Sequence, residues 1–141
     1  MALAQLAPLA SAGPAAFVSL QKPMPARDLE SMSMFPAMMN LADDLTDFGE
    51  TAAVVENLDL VITVDTSMGH LAGALGKPAW ILIPKAADWR WMLEREDSPW
   101  YPSVRLFRQQ KPGAWDQPLD QLRSALGREL AGAMAEGAVA G

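Results

Sequence analysis

Two short runs of consecutive apolar residues, LVITV (60–64) and AWILI (79–83), most constrain the fold of this chain. Such β-branched runs without polar alternation are typical of strands that are buried on both faces of a parallel sheet. Between them, Ser67 is a candidate N-cap, MGHLAGALG predicts a helix, and Gly76 followed by Lys-Pro predicts its end. Parallel strands joined by a helix form a right-handed crossover. The sequence therefore predicts an α/β fold with a parallel sheet and flanking helices.

Patterns of the same kind predict further elements on both sides of this unit. They are strands at 15–21, 34–40 and 104–108 and helices at 25–32, 47–59 and from Asp116 onward. The strand at 34–40 is weakened by a proline, and the one at 104–108 is an expected edge strand. Leucines and a methionine spaced three or four residues apart predict one apolar face on the last helix, namely Leu119, Leu122, Leu126, Leu130 and Met134.

The length and composition of the chain predict one domain. It has 141 residues, of which 50% are hydrophobic, and this is enough for one core but too little for two ordinary ones. We expect a tail or helix remnant at 1–14, the α/β domain at 15–135 and a flexible tail at 136–141.

Charge and residue counts exclude several classes of function. The net charge of −6 argues against a broad basic face for nucleic acid. The chain has no cysteine and one histidine, which leaves no disulfide, thiolate nucleophile or cysteine zinc site and fits a reducing, cytoplasmic location. No run approaches the ~18 apolar residues of a membrane span, and the first basic residue, Lys22, comes too late for a signal peptide.

The turn between the two central strands carries the only histidine and a set of hydrogen-bond donors. The amides of Ser67, Met68 and Gly69 and the hydroxyls of Thr66 and Ser67 lie where a helix begins beyond the carboxyl end of a strand. This is the equipment that binds a phosphate or diphosphate, Gly69 allows a ligand to approach closely, and His70 lies about one turn from the cap. The alternative is an ordinary helix cap with a structural histidine.

Two cations are further candidates for phosphate contact. Lys22 directly follows the first predicted strand, at the carboxyl edge of the same expected sheet, and is otherwise a solvated loop lysine. Arg90 lies in the Trp- and Pro-rich stretch 84–103, where it suits either a phosphate or the neighbouring acids. The tryptophans of this stretch either line a cleft or pin a long loop, and we expect Trp100 to pin it.

Three blocks of the sequence resemble one family of enzymes. FVSLQK, DFGETAAVVENLDLVITVDTSMGHLAGALGKPAWILIP and DWRWMLEREDSPWYPSVRLFRQ together look like the C-terminal domain of heptosyltransferase-type glycosyltransferases, glycosyltransferase family 9. The resemblance covers roughly residues 15–126 and is closest to the branch fused to tetratricopeptide repeats. It implies a Rossmann-like half of a GT-B enzyme, in which two such domains face each other across a cleft.

The resemblance also implies a ligand and a role for several residues. Asp65, Thr66, Ser67 and His70 match the D-T-x-x-x-H element, which contacts the diphosphate and ribose of a nucleotide-sugar donor, and Lys22 neutralises phosphate. Family members often have glycine where Ser67 stands. The resemblance implies transfer without a metal or other cofactor, because preorganised donors stabilise the leaving diphosphate. It assigns no catalytic residue here, since the general base belongs to the N-terminal domain.

Two hypotheses follow. The first is the nucleotide-sugar-binding domain of a glycosyltransferase without its acceptor domain, acting on a donor such as ADP-heptose and inactive as an isolated half. The second is a non-catalytic binding or interaction module, a degenerate remnant of that fold. In both, the partners expected are a nucleotide sugar and either a second copy of the chain or a separate acceptor-domain protein, with no nucleic acid and no membrane span.

Overall fold

A computed structural model describes residues 1–139, which fall into two compact units. The first unit comprises residues 1–46 and 121–139, and the second is Asp47–Asp120. Of the tail expected at 136–141, residues 136–139 end the last helix, and residues 140 and 141 lie outside the described part.

The first unit contains a short strand–helix–strand element. Its segments are a 3-10 helix (Leu3–Ser11), β1 (Val18–Ser19), α1 (Ala26–Ser31), a 3-10 turn (Met32–Met34) and β2 (Met39–Asn40). β1 and β2 pair in parallel, with Val18 opposite Met39. Both strands are shorter than the sequence predicts. Ala37, just before β2, has a φ of 50°, which interrupts the extended backbone.

Apolar side chains and one buried carboxylate organise the interior of the first unit. Leu9, Phe35 and Leu45 are buried, and the ring of Phe17 meets that of Phe35 edge-on at 5.2 Å between centroids. Asp28 of α1 is 1% exposed; its carboxylate accepts hydrogen bonds from the amide of Leu3 at 2.9 Å and from the side-chain amide of Gln21 at 3.4 Å. These bonds satisfy a buried charge and fasten the N-terminal segment to α1.

The second unit contains a three-stranded parallel sheet. Its segments are α2 (Phe48–Glu56), β3 (Val61–Val64), α3 (Ser67–Ala74), β4 (Ala79–Ile83), a 3-10 turn (Trp89–Trp91), β5 (Val104–Arg108) and the start of α4 (Asp116–Val139). The strand order is β3-β4-β5, and both pairings are parallel. This confirms the α/β, Rossmann-like arrangement of parallel strands with flanking helices. Within residues 1–139 the strands form two sheets, however, whereas we expected β1 in the same sheet as β3.

The position of each strand in this sheet explains its burial. All five residues of β4 are buried, because β4 lies between two neighbours. β5 is an edge strand, as predicted. In β3 only Val61 is buried, so the expectation of a strand buried on both faces was right for β4 and wrong for β3, which is the other edge.

Both ends of α3 follow from local chemistry. At its C-terminal end Gly76 has a φ of 70°, and the amides of Gly76 and Lys77 donate to the carbonyls of Gly73 and Ala72 at 3.1 and 3.0 Å. This is the predicted glycine stop. At its start the N-cap residue is Thr66 and not Ser67, which is the first helical residue.

The apolar face of α4 is confirmed over its first half. Leu122 and Leu126 are buried, and Leu119 and Leu130 are partly exposed. Met134 is 60% exposed, so the prediction that it continues this face was wrong.

Candidate functional site

The turn between β3 and α3 presents the start of a helix to solvent. Thr66 has the extended backbone of an N-cap residue, but its side chain does not cap the helix. Its hydroxyl instead lies 3.1 Å from the hydroxyl of Thr63. Thr66 and Ser67 are both exposed. The first amides of α3 therefore have no side-chain cap, and the positive end of the helix dipole faces an accessible surface.

Gly69 has a packing role in this turn. It is buried, and a Cβ atom on it would lie 2.7 Å from Cδ1 of Ile81 in β4. Its amide donates to the carbonyl of Thr66 at 3.1 Å, so of the three amides that we expected as donors to a phosphate this one is already engaged. The glycine lets α3 lie close against the sheet, and its contact with a ligand stays a prediction.

His70 lies in an aromatic cluster with Trp91 and Tyr101. Its ring stacks on the indole of Trp91, with centroids 4.9 Å apart and an interplanar angle of 23°. Its Nδ1 lies 3.2 Å from the hydroxyl of Tyr101, and the two rings meet edge-on at 5.8 Å. The imidazole is partly buried. One face and one nitrogen of the ring are thus held by two aromatic residues from the connection between β4 and β5.

Asp65 is joined to the same cluster through Trp91. Nε1 of Trp91 donates to Oδ1 of Asp65 at 2.8 Å, and Trp91 is fully buried. The guanidinium of Arg108 donates to the carbonyls of Trp91 and Arg95, and burial lowers the pKa of Arg108. Trp91 therefore connects the Asp65 carboxylate with the His70 ring, and it is the residue that pins the long connection to the unit.

Arg90 is adjacent to this cluster in the chain but is engaged elsewhere. Its guanidinium donates to both carboxylate oxygens of Asp88 at 3.0 Å and lies over the ring of Trp89 at 5.1 Å. The amide of Arg90 also donates to Asp88, and this bond, followed by the charge of the guanidinium, lowers the pKa of Asp88. Of the two interpretations of Arg90, the structure displays the pairing with a neighbouring acid, and a phosphate contact stays a prediction.

Trp89 and Trp100 are exposed, unlike Trp91. Trp89 is 71% exposed and lines a shallow hollow of about 480 Å³ together with Met92 and Leu93. Trp100 is 58% exposed, although its Nε1 donates to the carbonyl of Arg90 at 3.0 Å. Trp100 therefore helps to hold the loop, as expected, but only through one hydrogen bond. The tryptophan of this loop that is buried in the unit is Trp91.

Lys22 belongs to the first unit, whereas all the other predicted site residues belong to the second. It is exposed, precedes a cis proline, and its Nζ donates to the carbonyl of Leu45 at 2.7 Å. A backbone carbonyl therefore holds its ammonium within its own unit. A role in neutralising phosphate stays a prediction for this residue.

Sequence reasoning missed Tyr101 and Gly73. A Cβ atom on Gly73 would lie 2.5 Å from Cγ of Tyr101, so the tyrosine ring occupies the space that the glycine leaves. The available signal was the spacing of Gly69 and Gly73, which places two glycines on one face of a helix. Such a face indicates close packing but does not identify the aromatic partner.

Metal and membrane features were searched within residues 1–139. In that range no group of three or more His, Asp or Glu side chains is arranged to hold a metal ion. None of the helices in the described part of the chain is long and apolar enough to cross a membrane.

The fold and the turn define a class, an α/β protein of Rossmann-like type with an accessible helix start after a parallel strand. Residues 26–87 match the model of glycosyltransferase family 9 (heptosyltransferase). This match confirms, over the matched residues, the resemblance to glycosyltransferases inferred from the sequence. It includes Asp65, Thr66, Ser67, Gly69 and His70 but neither Lys22 nor Arg90.

A curated relative extends the similarity to a named protein. The chain is 37% identical over 91 residues to Protein FlbA of Caulobacter vibrioides. The alignment covers 64% of this chain and 14% of FlbA, so the chain corresponds to a small part of that relative. No solved structure matches the chain significantly.

Proposed function

We propose that this chain provides the nucleotide-sugar-binding part of a heptosyltransferase-type glycosyltransferase, with the start of α3 binding the donor diphosphate. The observation that carries the proposal is that the family match runs through an exposed helix start without a side-chain cap. Backbone amides at such a start bind anions without requiring a metal. The donor class is a nucleotide-diphosphate sugar, and ADP-heptose is the first to test because of the family that matches.

In this proposal each residue of the turn has a distinct role. The amides of Ser67 and Met68 and the hydroxyls of Thr66 and Ser67 donate to phosphate oxygens, and His70 adds a side-chain contact. One oxygen of the Asp65 carboxylate accepts a hydrogen bond from Trp91, which orients the carboxylate. Its other oxygen contacts the ribose. Arg90 reaches phosphate only by leaving Asp88. Transfer to an acceptor hydroxyl, association with tetratricopeptide repeats and a cytoplasmic location are further parts of the proposal.

Replacing Ser67 by proline tests the role of the helix start directly. Proline at the first helical position removes one amide donor and is compatible with the helix, and Thr66 already has the extended backbone that precedes proline. Ser67→Ala, which keeps the amide, is the matched control. A charge-assisted hydrogen bond contributes about 1.5–3 kcal/mol, so calorimetry should show ADP binding at least about tenfold weaker in Ser67→Pro than in Ser67→Ala.

The measurement has clear opposing results. Equal ADP affinities in the two variants, with equal unfolding midpoints, would place the nucleotide elsewhere. Absence of binding by the unsubstituted chain to ADP, UDP and GDP at millimolar concentration would contradict the proposed function itself. EDTA should leave the affinity unchanged, because amide donors need no metal to bind an anion.

A non-catalytic binding module is the second candidate. It is favoured by the engagement of Asp65 with Trp91 and of Arg90 with Asp88, which leaves neither of these charged side chains unpartnered. Release of free ADP from ADP-heptose, followed over hours, tests the module in one direction. Release that depends on Ser67 would contradict a non-catalytic module, whereas binding without release is expected of both candidates.

A further inference from the structure

The imidazole of His70 is contacted on one face and at Nδ1, whereas its second nitrogen, Nε2, is available to a ligand. Trp91 covers one face of the ring, and the hydroxyl of Tyr101 lies 3.2 Å from Nδ1. Within residues 1–139, Nε2 of His70 has no hydrogen-bond partner. The imidazole is partly buried, and the hydrogen bond that one ring nitrogen makes influences which nitrogen carries the proton.

The two residues that hold the ring are themselves fixed by the second unit. Trp91 is fully buried and bonded to Asp65 at 2.8 Å. Tyr101 lies against the backbone of α3 at Gly73, where any side chain would overlap its ring. The Tyr101 hydroxyl therefore has a defined position relative to His70, although 31 residues separate the two in sequence.

A neutral imidazole carries one N–H, and a phenol hydroxyl can donate or accept. If Tyr101 donates to Nδ1, the ring proton lies on Nε2, and the unpartnered nitrogen is an N–H donor. If Nδ1 carries the proton instead, Nε2 presents a lone pair. Phosphate oxygens only accept hydrogen bonds when ionised, so the first arrangement suits an anion and the second repels it.

We propose that Tyr101 is a positioning residue that donates its hydroxyl proton to Nδ1 of His70 and holds the ring in the Nε2–H tautomer. Trp91 fixes the plane of the ring by stacking. His70 then offers a neutral N–H donor to a phosphate oxygen beside the start of α3. This last step rests on the proposed function, whereas the tautomer and its cause belong to the ligand-free chain.

The test uses the single histidine and the single tyrosine of the chain. In the full chain labelled with ¹⁵N-histidine, one ring gives all the imidazole signals, and long-range ¹H–¹⁵N spectra above the usual histidine pKa of about 6.5 distinguish the tautomers. We expect the Nε2–H form, with Nδ1 shifted as a hydrogen-bond acceptor. In Tyr101→Phe, which keeps the ring, Nδ1 should move to the position of an unbonded acceptor. Trp100→Phe should leave it unchanged, because within the described residues Trp100 makes no hydrogen bond or ring contact with His70.

An Nδ1–H tautomer in the unsubstituted chain would overturn the proposal, and so would an Nδ1 signal that is the same in Tyr101→Phe. Loss of one neutral hydrogen bond should also weaken ADP binding about two- to tenfold in Tyr101→Phe, with an unchanged effect of Ser67→Pro. If the tautomer is as expected but ADP does not bind, the proposed function fails and the positioning role stands. If ADP binds with the opposite tautomer, the positioning role fails and the proposed function stands.

Discussion

The described part of the chain contains two strand–helix–strand elements of the same parallel topology, β1–α1–β2 in the first unit and β3–α3–β4 in the second. They differ in how far their second strand is buried and in what holds the turn after their first strand. Both residues of β2 are exposed, whereas every residue of β4 is buried. The turn after β1 carries Lys22, held by one backbone carbonyl. The turn after β3 is held by close helix packing and an aromatic cluster. The two elements therefore share a topology, but only the turn after β3 is held in place by close side-chain packing.

The largest expected difference between the elements comes from truncating one side chain in each second strand. Leu82 of β4 is fully buried, so Leu82→Ala should lower the free energy of unfolding by about 2–5 kcal/mol. Met39 of β2 is 57% exposed, and Met39→Ala should change it by less than about 0.5 kcal/mol. Urea unfolding followed by circular dichroism measures both. Similar losses of unfolding free energy in the two variants would contradict the claim that β4 is more deeply buried than β2.

A second prediction concerns the glycine beneath Tyr101. Gly73→Ala should destabilise the second unit by about 1–3 kcal/mol, because the new methyl group overlaps the tyrosine ring. Gly132→Ala is the matched control in α4; its Cβ would meet nothing within 4 Å, and helix propensity should make it stabilising by about 0.5–1 kcal/mol. Urea unfolding followed by tryptophan fluorescence reports the first effect, since all five tryptophans lie in the second unit. A neutral Gly73→Ala would show that the ring is free to move aside.

The third prediction tests how Lys22 is held. Lys22→Met removes the hydrogen bond to the Leu45 carbonyl and should cost about 0.5–1.5 kcal/mol of stability. Lys111→Met, at an exposed loop position, is the charge-matched control and should be close to neutral. Equal unfolding midpoints in the two variants would indicate that the bond contributes nothing. Calorimetry on the same pair shows whether Lys22 also contributes to ADP binding.

The smallest effect is expected at an exposed ion pair in the connection between β4 and β5. Arg95 donates to Asp97 at 2.8 Å, and this bond lowers the pKa of Asp97 and raises that of Arg95. The lowered carboxyl pKa means that any stabilisation is present above the unfolded pKa and is lost as pH falls through the folded one. NMR titration should show the Asp97 pKa rising in Arg95→Gln, with little change in stability. An unchanged Asp97 pKa would exclude the pair in solution.

The second unit was the more predictable of the two, for physical reasons. LVITV and AWILI identify β3 and β4 because consecutive apolar and β-branched residues favour strands of a parallel sheet, although only β4 is buried throughout. Gly76 identifies the end of α3 because glycine readily adopts the positive φ of a helix stop. The segment at 15–21 has the composition of a strand, yet only Val18–Ser19 pairs. Composition alone does not show how far a partner strand extends.

Only those residues of the candidate site that lie close together in sequence were predictable. Thr66, Ser67 and His70 are adjacent in sequence, so the turn is visible from local patterns. Trp91 and Tyr101 reach His70 from 21 and 31 residues away, and no periodicity encodes such contacts. For the same reason the sequence did not decide whether Arg90 contacts a phosphate or a neighbouring acid. The structure shows the pairing with Asp88.

The central claim, that the start of α3 binds a nucleotide diphosphate, is tested most directly by an NMR titration of the ¹⁵N-labelled chain with ADP. The account predicts saturable shifts of the Ser67 and Met68 amides and of the His70 ring, with the amide of Gly132, an exposed residue of α4, unchanged. Ser67 and Met68 amides that stay unshifted at millimolar ADP, UDP and GDP, or shifts confined to the turn after β1, would contradict it.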